Sequence, residues 1–506
     1  MANHLFDFFR DHFPADLSTP FLVTPDGEAV AYAEIEVRTA RLANLFHSLG
    51  VQPGDRIAVQ AEKSVEALFV YLAAVRAGAV YLPLNPAYTA GEVRYFLGDA
   101  EPALFICRSE DEAAMEVLAQ ELGVPNLLTL GADGGGDLVE VMAGQPVEFS
   151  DADRGEDDLA AILYTSGTTG RSKGAMLTHG NLRSNADVLR AYWRFTSEDR
   201  LLHALPIFHT HGLFVATNTV LAAGASMIFL PRFDAGEVVR LLPQATCMMG
   251  VPTFYMRLLA EPAFTRELTS HMRLFISGSA PLSAETHREF RARTGHAILE
   301  RYGMTEINMH TSNPYEGERV PGSVGLPLPG GEVRIADLES GKALDQGDVG
   351  VIEVRGPNVF KGYWRMPEKT AEEFRSDGFF ITGDLGYIDA QGYVYIAGRA
   401  KDLIIAGGFN IYPAELENAL DSLPQVSESA VIGVPHPDLG EAVVAVVKAA
   451  DGAPHDEQIL IAALADELAR FKQPRRVVFV DELPRNAMGK VQKKALREDY
   501  AGLFSS

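Results

Sequence analysis

The sequence predicts an α/β protein: two helix-covered, mostly parallel sheets, then a small antiparallel β-barrel or sheet, then a separate small α+β unit. Three observations lead there. Up to about residue 330, helix-like and strand-like segments alternate, as in strands joined by helical crossovers. From Gly331 the pattern changes to short β segments. After Gly398-Arg399-Ala400-Lys401-Asp402 the remaining residues read as a unit of their own, with a hinge at 399–402. A chain of 506 residues, 47% hydrophobic, exceeds one compact core and suits a large domain plus a smaller one.

In order, Tyr32 to Leu49 is amphipathic, Arg56 to Gln60 is a strand and Ser64 to Arg76 a helix. Ala79 to Leu84, Ala103 to Cys107 and Asn126 to Leu130 are further strands. Leu159 to Tyr164 and Gly174 to Thr178 are strands around a glycine-rich loop. Asn181 to Arg194 and Gly236 to Leu242 are helices; Arg200 to Leu205 and Ser226 to Leu230 are strands. Val333 to Ala336, Val349 to Arg355 and a hairpin from Gly386 to Ala397, turning at 389–392, form the β region. In the last unit, Pro413 to Leu420 is a helix with proline in its first turn. Ala430 to Val434, Ala442 to Val447 and Arg476 to Val480 are strands, and Gln458 to Phe471 is an amphipathic helix.

The net charge of −24 disfavours nucleic acid and anionic membranes as partners. Cys107 and Cys247 sit in apolar runs and read as core residues, not as a disulfide or metal pair. The amino terminus lacks a signal-peptide pattern, and the most apolar stretch, Ala67 to Leu84, is interrupted by Arg76, Gly78 and Pro83. A cytoplasmic, reducing compartment is the expectation.

The chemistry centres on Tyr164-Thr165-Ser166-Gly167-Thr168-Thr169-Gly170-Arg171-Ser172-Lys173-Gly174. Glycines turn backbone N–H groups into one concavity, hydroxyls add donors, and Arg171 and Lys173 add charge, which suits a polyphosphate. It is not a Walker A loop, whose glycine spacing and Lys-Ser/Thr ending differ. A bare glycine-rich surface hairpin is the competing reading of such a composition. The order Tyr-Thr-Ser-Gly-Thr-Thr-Gly-x-x-Lys-Gly, however, resembles the phosphate-binding signature of the adenylate-forming superfamily: acyl-CoA synthetases, luciferases and nonribosomal adenylation domains. The resemblance covers almost the whole chain. It implies a 1–398 AMP-binding domain (1–180, 181–330 and 331–398), a hinge at 399–402 with Lys401 as its pivot, and a mobile 403–506 lid.

Other segments match that family in the same order. Ser277-Gly278-Ser279-Ala280 resembles its adenine-pocket turn. Glu300-Arg301-Tyr302-Gly303-Met304-Thr305-Glu306 resembles its Tyr-Gly-x-Thr-Glu motif, which implies a ring stacked on adenine, a threonine on phosphate and Glu306 on Mg²⁺. Asp384 and Arg399 match the ribose-binding pair. Gly407, Gly408 and Phe409 match the loop that serves the CoA step. Lys490 matches the catalytic lysine, with Thr165, Glu306 and His209 also placed in the catalytic set. Taken alone, Tyr302 reads as a core aromatic, Asp384 and Arg399 as a surface ion pair, and Lys490 as a solvated surface residue. The resemblance further implies control by a lysine acetyltransferase and deacetylase acting on Lys490.

For the acid, Phe208-His209-Thr210-His211-Gly212 and Val251-Pro-Thr-Phe-Tyr-x-Arg257, with Glu300 to Asn308, resemble the malonate-activating members. That implies malonate, or methylmalonate, with ATP and CoA as co-substrates. Arg257, His209, His211 and Ser277 are then the expected contacts of the substrate carboxylate. The competing readings are a solvent-facing helix arginine at 257 and a two-histidine metal site at His209 and His211. An enzyme for another small acid, or one loading a carrier protein in trans, is the alternative function.

Overall fold

The apolar runs in the first third of the chain assemble as a six-stranded sheet. Its order is Leu127–Thr129, Leu104–Cys107, Arg56–Val59, Val80–Pro83, Leu159–Thr165, Lys173–Thr178. All pairs are parallel except the last. The computed structural model describes residues 2–504 apart from 166–171, 408, 467, 487 and 488 and the side chain of Asp466. The helix Val65–Arg76 makes the crossover between two of these strands; the Ser64 hydroxyl caps it by accepting from the Ala67 N–H.

The second sheet has nine strands: Leu326–Pro327, Asn308–Ser312, Leu299–Met304, Leu274–Ser277, Cys247–Gly250, Arg200–His203, Ser226–Phe229, Pro20–Val23 and Ala29–Ala31. Its interior is parallel and its edges antiparallel. Pro20–Val23 and Ala29–Ala31 thus come from the first 180 residues yet complete the second sheet. One apolar core runs through both, from Leu68 and Tyr71 to Leu201 and Phe214.

Glu332–Ala336, Gly350–Arg355, Phe380–Ile388 and Val394–Arg399 form an antiparallel sheet in that linear order. The small domain is a second antiparallel hairpin, Val426–His436 with Gly440–Ala449; both Arg476–Phe479 and Ile404–Ala406 pair with Gly440–Ala449, at different points along it. Its sheet faces carry separate apolar clusters, around Leu416 and Leu464 and around Ile432 and Leu496, neither continuous with the large core.

One expected element is shorter than its periodicity. The helix predicted from Gln458 to Phe471 runs only Glu457–Ala463, followed by a 3₁₀ turn at Leu464–Asp466. Leu464 and Leu468 still reach the core, but Phe471 is exposed and stacks on Phe409 at 4.6 Å. Cys107 and Cys247 are free and buried, and burial pushes both thiols up to about 12. Among the described residues no helix is long and apolar enough to cross a membrane.

Candidate active site

The site lies where the strand Leu299–Met304 emerges beside Leu274–Ser277, with Ser277 opposite Glu300. The Tyr302 hydroxyl is paired with Asp384 whereas the Arg301 guanidinium has no partner, and this difference divides the site in two.

On the Tyr302 side the polar groups are paired with one another. The Tyr302 hydroxyl donates to Asp384 Oδ2 at 2.5 Å, and Arg399 Nε meets Asp384 Oδ1 at 2.6 Å. Asp384 and Arg399 are neighbours across the hairpin Phe380–Ile388/Val394–Arg399. Each carboxylate oxygen keeps a second lone pair for an incoming hydroxyl. Glu306 is buried, and burial raises its pKa. Its Oε1 lies 3.0 Å from the Tyr363 hydroxyl, which also lies 2.6 Å from Glu373 Oε2. A phenol has one proton. The shorter contact takes it, since Lys173 Nζ holds Glu373 ionised at 2.8 Å. Lys173 also sits 4.0 Å over the Tyr363 ring. The expected phosphate lysine is therefore tied back to Glu373. Tyr363 and Glu373 were not singled out from the sequence, and nothing local marks them: Lys173 and Glu373 are 200 positions apart.

Glu306 keeps acceptor capacity that Tyr363 does not fill. No group of three His, Cys, Asp or Glu among the described residues could hold a metal ion alone. One carboxylate completed by phosphate oxygens and water is the donor set Mg²⁺ takes beside a nucleotide, so these residues fit that ion.

On the Arg301 side the polar groups are buried without protein partners. Arg301 is 2% exposed, and none of its three guanidinium nitrogens has a hydrogen bond. Burial lowers its pKa to about 9, with neighbouring Tyr255 and Glu300 opposing. Gly278 leaves the room: a Cβ there would stand 2.4 Å from the guanidinium carbon. Ser277 Oγ, Thr210 Oγ1 and His211 Nε2 are likewise buried and unpaired. His211 Nδ1 is fixed by Ser279 Oγ at 3.1 Å, and Ser279 holds a left-handed φ of 72°. Burial, then the charge of Arg301, lowers His209 to about 4 and His211 well below its usual value, so both imidazoles are neutral. Glu300 is pushed up to about 8 by burial; one oxygen accepts from the Leu282 N–H at 3.2 Å and the other has no partner.

Arg257 does not join this group. It lies on the exposed face of the helix Pro252–Ala260, whose buried side carries Tyr255, Leu258 and Leu259. Two residues past Tyr255 is about 200° around a helix, which puts Arg257 opposite the core-facing residues of that helix. The two-histidine metal reading also lacks further ligands among the described residues.

Lys490 reaches the site from the small domain. It is solvent-accessible, yet surrounding protein, then Arg399, lowers its pKa to about 8, while Asp384 pulls the other way. Lys490 also contributes to lowering His209, so it faces both halves of the site. Beside it, Gly489 has φ 74°, and a Cβ there would stand 3.4 Å from Thr253 Oγ1 of the large domain. Lys401 sits in the 3₁₀ turn Ala400–Asp402 that joins the domains. Gly407 and the exposed Phe409 flank the small domain's edge hairpin. Thr165 ends its strand, with Oγ1 3.4 Å from the Lys173 carbonyl; Ala280, Gly303, Met304 and Thr305 are half-buried around the strand ends. Ser166, Gly167, Thr168, Thr169, Gly170 and Gly408 lie outside the described residues.

Comparison with known proteins bears on this arrangement. Residues 11–364 match the AMP-binding enzyme family and residues 415–490 the AMP-binding enzyme C-terminal domain. The chain is 38% identical to a feruloyl-CoA synthase from Amycolatopsis sp. over 94% of each chain. It is 34% identical to the malonate–CoA ligase of Arabidopsis thaliana, over 94% of this chain and 85% of that one. The ATP-bound crystal structure of MatB from Rhodopseudomonas palustris is 58% identical over 100% of both chains and superposes with a TM-score of 0.97. The apo structure of that MatB, with the same identity and coverage, gives 0.87. The arrangement seen here is thus nearer the ATP-bound form.

Proposed function

The chain belongs to the AMP-binding enzyme family, and on that premise we propose that it joins malonate to coenzyme A with ATP, releasing AMP and pyrophosphate. The buried, unpaired Arg301 carries the choice of acid. An acid with an apolar tail leaves that cation uncompensated, which costs about 3–5 kcal/mol. A second carboxylate meets the guanidinium bidentately, with the Ser277 hydroxyl and His211 as further donors. Methylmalonate presents the same distal carboxylate. Relatives at similar identity include both feruloyl-CoA synthase and malonate–CoA ligases, so overall similarity alone does not select the acid.

The reacting carboxylate of malonate attacks the α-phosphorus of ATP, the bond to pyrophosphate breaks, and malonyl-AMP forms. Asp384 and Arg399 hold the ribose, and Tyr302 lines the adenine. Lys490 neutralises charge on the attacking and departing oxygens. Thr165, Ser166, Gly167, Thr168, Thr169 and Gly170 cradle the polyphosphate. Mg²⁺ held by Glu306 would supply positive charge to the phosphate oxygens. The small domain then turns about Lys401, withdrawing Lys490 and bringing in the Gly407, Gly408 and Phe409 loop. The CoA thiolate attacks the acyl carbon and AMP leaves. Acetylation of Lys490 would remove its charge and stop the first step.

The test is pyrophosphate release with acetate, malonate, methylmalonate, succinate and a medium-chain fatty acid. Malonate or methylmalonate should exceed the monocarboxylic acids by at least about 30-fold in kcat/KM, the lower end of the worth of a desolvated charge pair. Equal or greater use of the fatty acid would overturn the assignment.

A further inference from the structure

Among the described residues, those on either side of 487 and 488 in the segment that carries Lys490 brace one another. Arg485 and Val491 bridge as an antiparallel pair. The Asn486 N–H donates to the Lys490 carbonyl at 3.0 Å, and the Asn486 side chain accepts from the Lys490 N–H at 3.0 Å. The Gln492 N–H closes the base on Pro484 O at 2.8 Å. Arg485 spans this segment from within: Nη1 donates to the Gly489 carbonyl, and Nη2 donates to Glu428, to which it is ion-paired. Glu428 lies on the long strand Val426–His436, the backbone of the small domain.

Every member of this brace belongs to the small domain. By contrast, the charges that meet the Lys490 ammonium include Asp384 and Arg399 of the large domain. The brace therefore keeps its form whichever way the small domain faces, whereas the ammonium's partners do not. A lysine on a free loop would have to be ordered each time the domain turned, at a cost in backbone entropy. Glycine at 489 takes its positive φ without strain but leaves the residue before Lys490 without side-chain restraint. Arg485 supplies that restraint at the Gly489 carbonyl.

We infer that Arg485, held by Glu428, is a positioning residue that presets the Lys490 backbone for the adenylation step. It touches neither nucleotide nor acid. The inference rests on the family role proposed for Lys490, and it deepens that role.

The experiment compares Arg485→Ala, Glu428→Gln and the charge-exchanged Glu428→Arg/Arg485→Glu double variant in two half-reactions. One is acid-dependent pyrophosphate–ATP exchange, run with whichever acid the unaltered protein uses; the other is thioester formation from the supplied acyl-AMP and CoA. Arg485→Ala should lower exchange kcat about 10- to 100-fold, as displacement of a catalytic group by an ångström does. Its KM for ATP and acid should hold, and thioester formation should stay within about twofold. Arg485→Lys should recover only part, since an ammonium cannot span both acceptors. Equal loss in both half-reactions, or a fallen melting temperature with general loss, would make the brace merely structural and overturn the inference. So would unchanged exchange. A protein that activates an acid other than malonate would contradict the substrate reading and leave this test intact.

Discussion

The two halves of the site solve opposite problems. On the nucleotide side, Tyr302, Asp384 and Arg399 satisfy one another, and Lys173, Glu373 and Tyr363 are paired with one another beside Glu306. On the acid side, Arg301, Ser277 and His211 are buried with polar atoms that no protein group meets. A paired network stays formed without ligand, and a ligand adds to it only what its spare lone pairs allow. An unpaired buried cation makes the ligand supply what the protein withheld, so discrimination concentrates there. The nucleotide half thus fixes geometry and the acid half sets specificity.

Lys490 faces both halves, so its removal should have the largest effect and should split by step, not by side. Lys490→Ala should reduce pyrophosphate–ATP exchange by about 10²–10³-fold, the range for loss of one preorganised electrostatic group. Thioester formation from supplied malonyl-AMP should change little. Comparable loss in both half-reactions would break the account of a lysine acting in one domain orientation.

Within the paired half, Asp384→Asn keeps the shape but removes the charge that holds Arg399. Hydrogen bonds to charged groups are worth about 1.5–3 kcal/mol. The KM for ATP should therefore rise about 10- to 100-fold while the ratio of malonate to butyrate use stays constant. A shift in that ratio would show that the halves are not separable. At the small end, Arg257→Ala should alter kcat/KM for every acid by less than about twofold, as exposed positions do. A malonate-selective loss would return Arg257 to the pocket.

The residues expected at the nucleotide lie in short contiguous segments, Tyr302 to Glu306 and the hairpin strands that carry Asp384 and Arg399, and the fold brings Tyr302, Asp384 and Arg399 together. The neighbouring pair, Tyr363 and Glu373, was not readable. Their significance comes from a partner 200 positions away and from a carboxylate in the turn after Leu299–Met304. On the acid side, what the sequence left unread is which side chains the fold buries. Arg257, expected at the substrate carboxylate, is exposed on its helix and makes no contact with the buried polar group around Arg301. Arg301 stands in the segment that carries Tyr302, and nothing in its sequence neighbourhood shows that its guanidinium is buried without a partner. The sheet order was legible as a class of fold, yet the placement of Pro20–Val23 beside Ser226–Phe229 was not. Parallel pairing across two hundred residues leaves no local trace.

The central claim is that Arg301 awaits the distal carboxylate of the substrate. It is tested most directly by the ratio of kcat/KM for malonate to that for butyrate in Arg301→Met, which fills similar volume without charge. The account predicts that malonate use falls by about 2–5 kcal/mol, roughly 30- to 5,000-fold, while butyrate use holds or rises because the uncompensated cation is gone. If malonate and butyrate fall by the same factor, Arg301 is structural and the distal carboxylate is bound elsewhere.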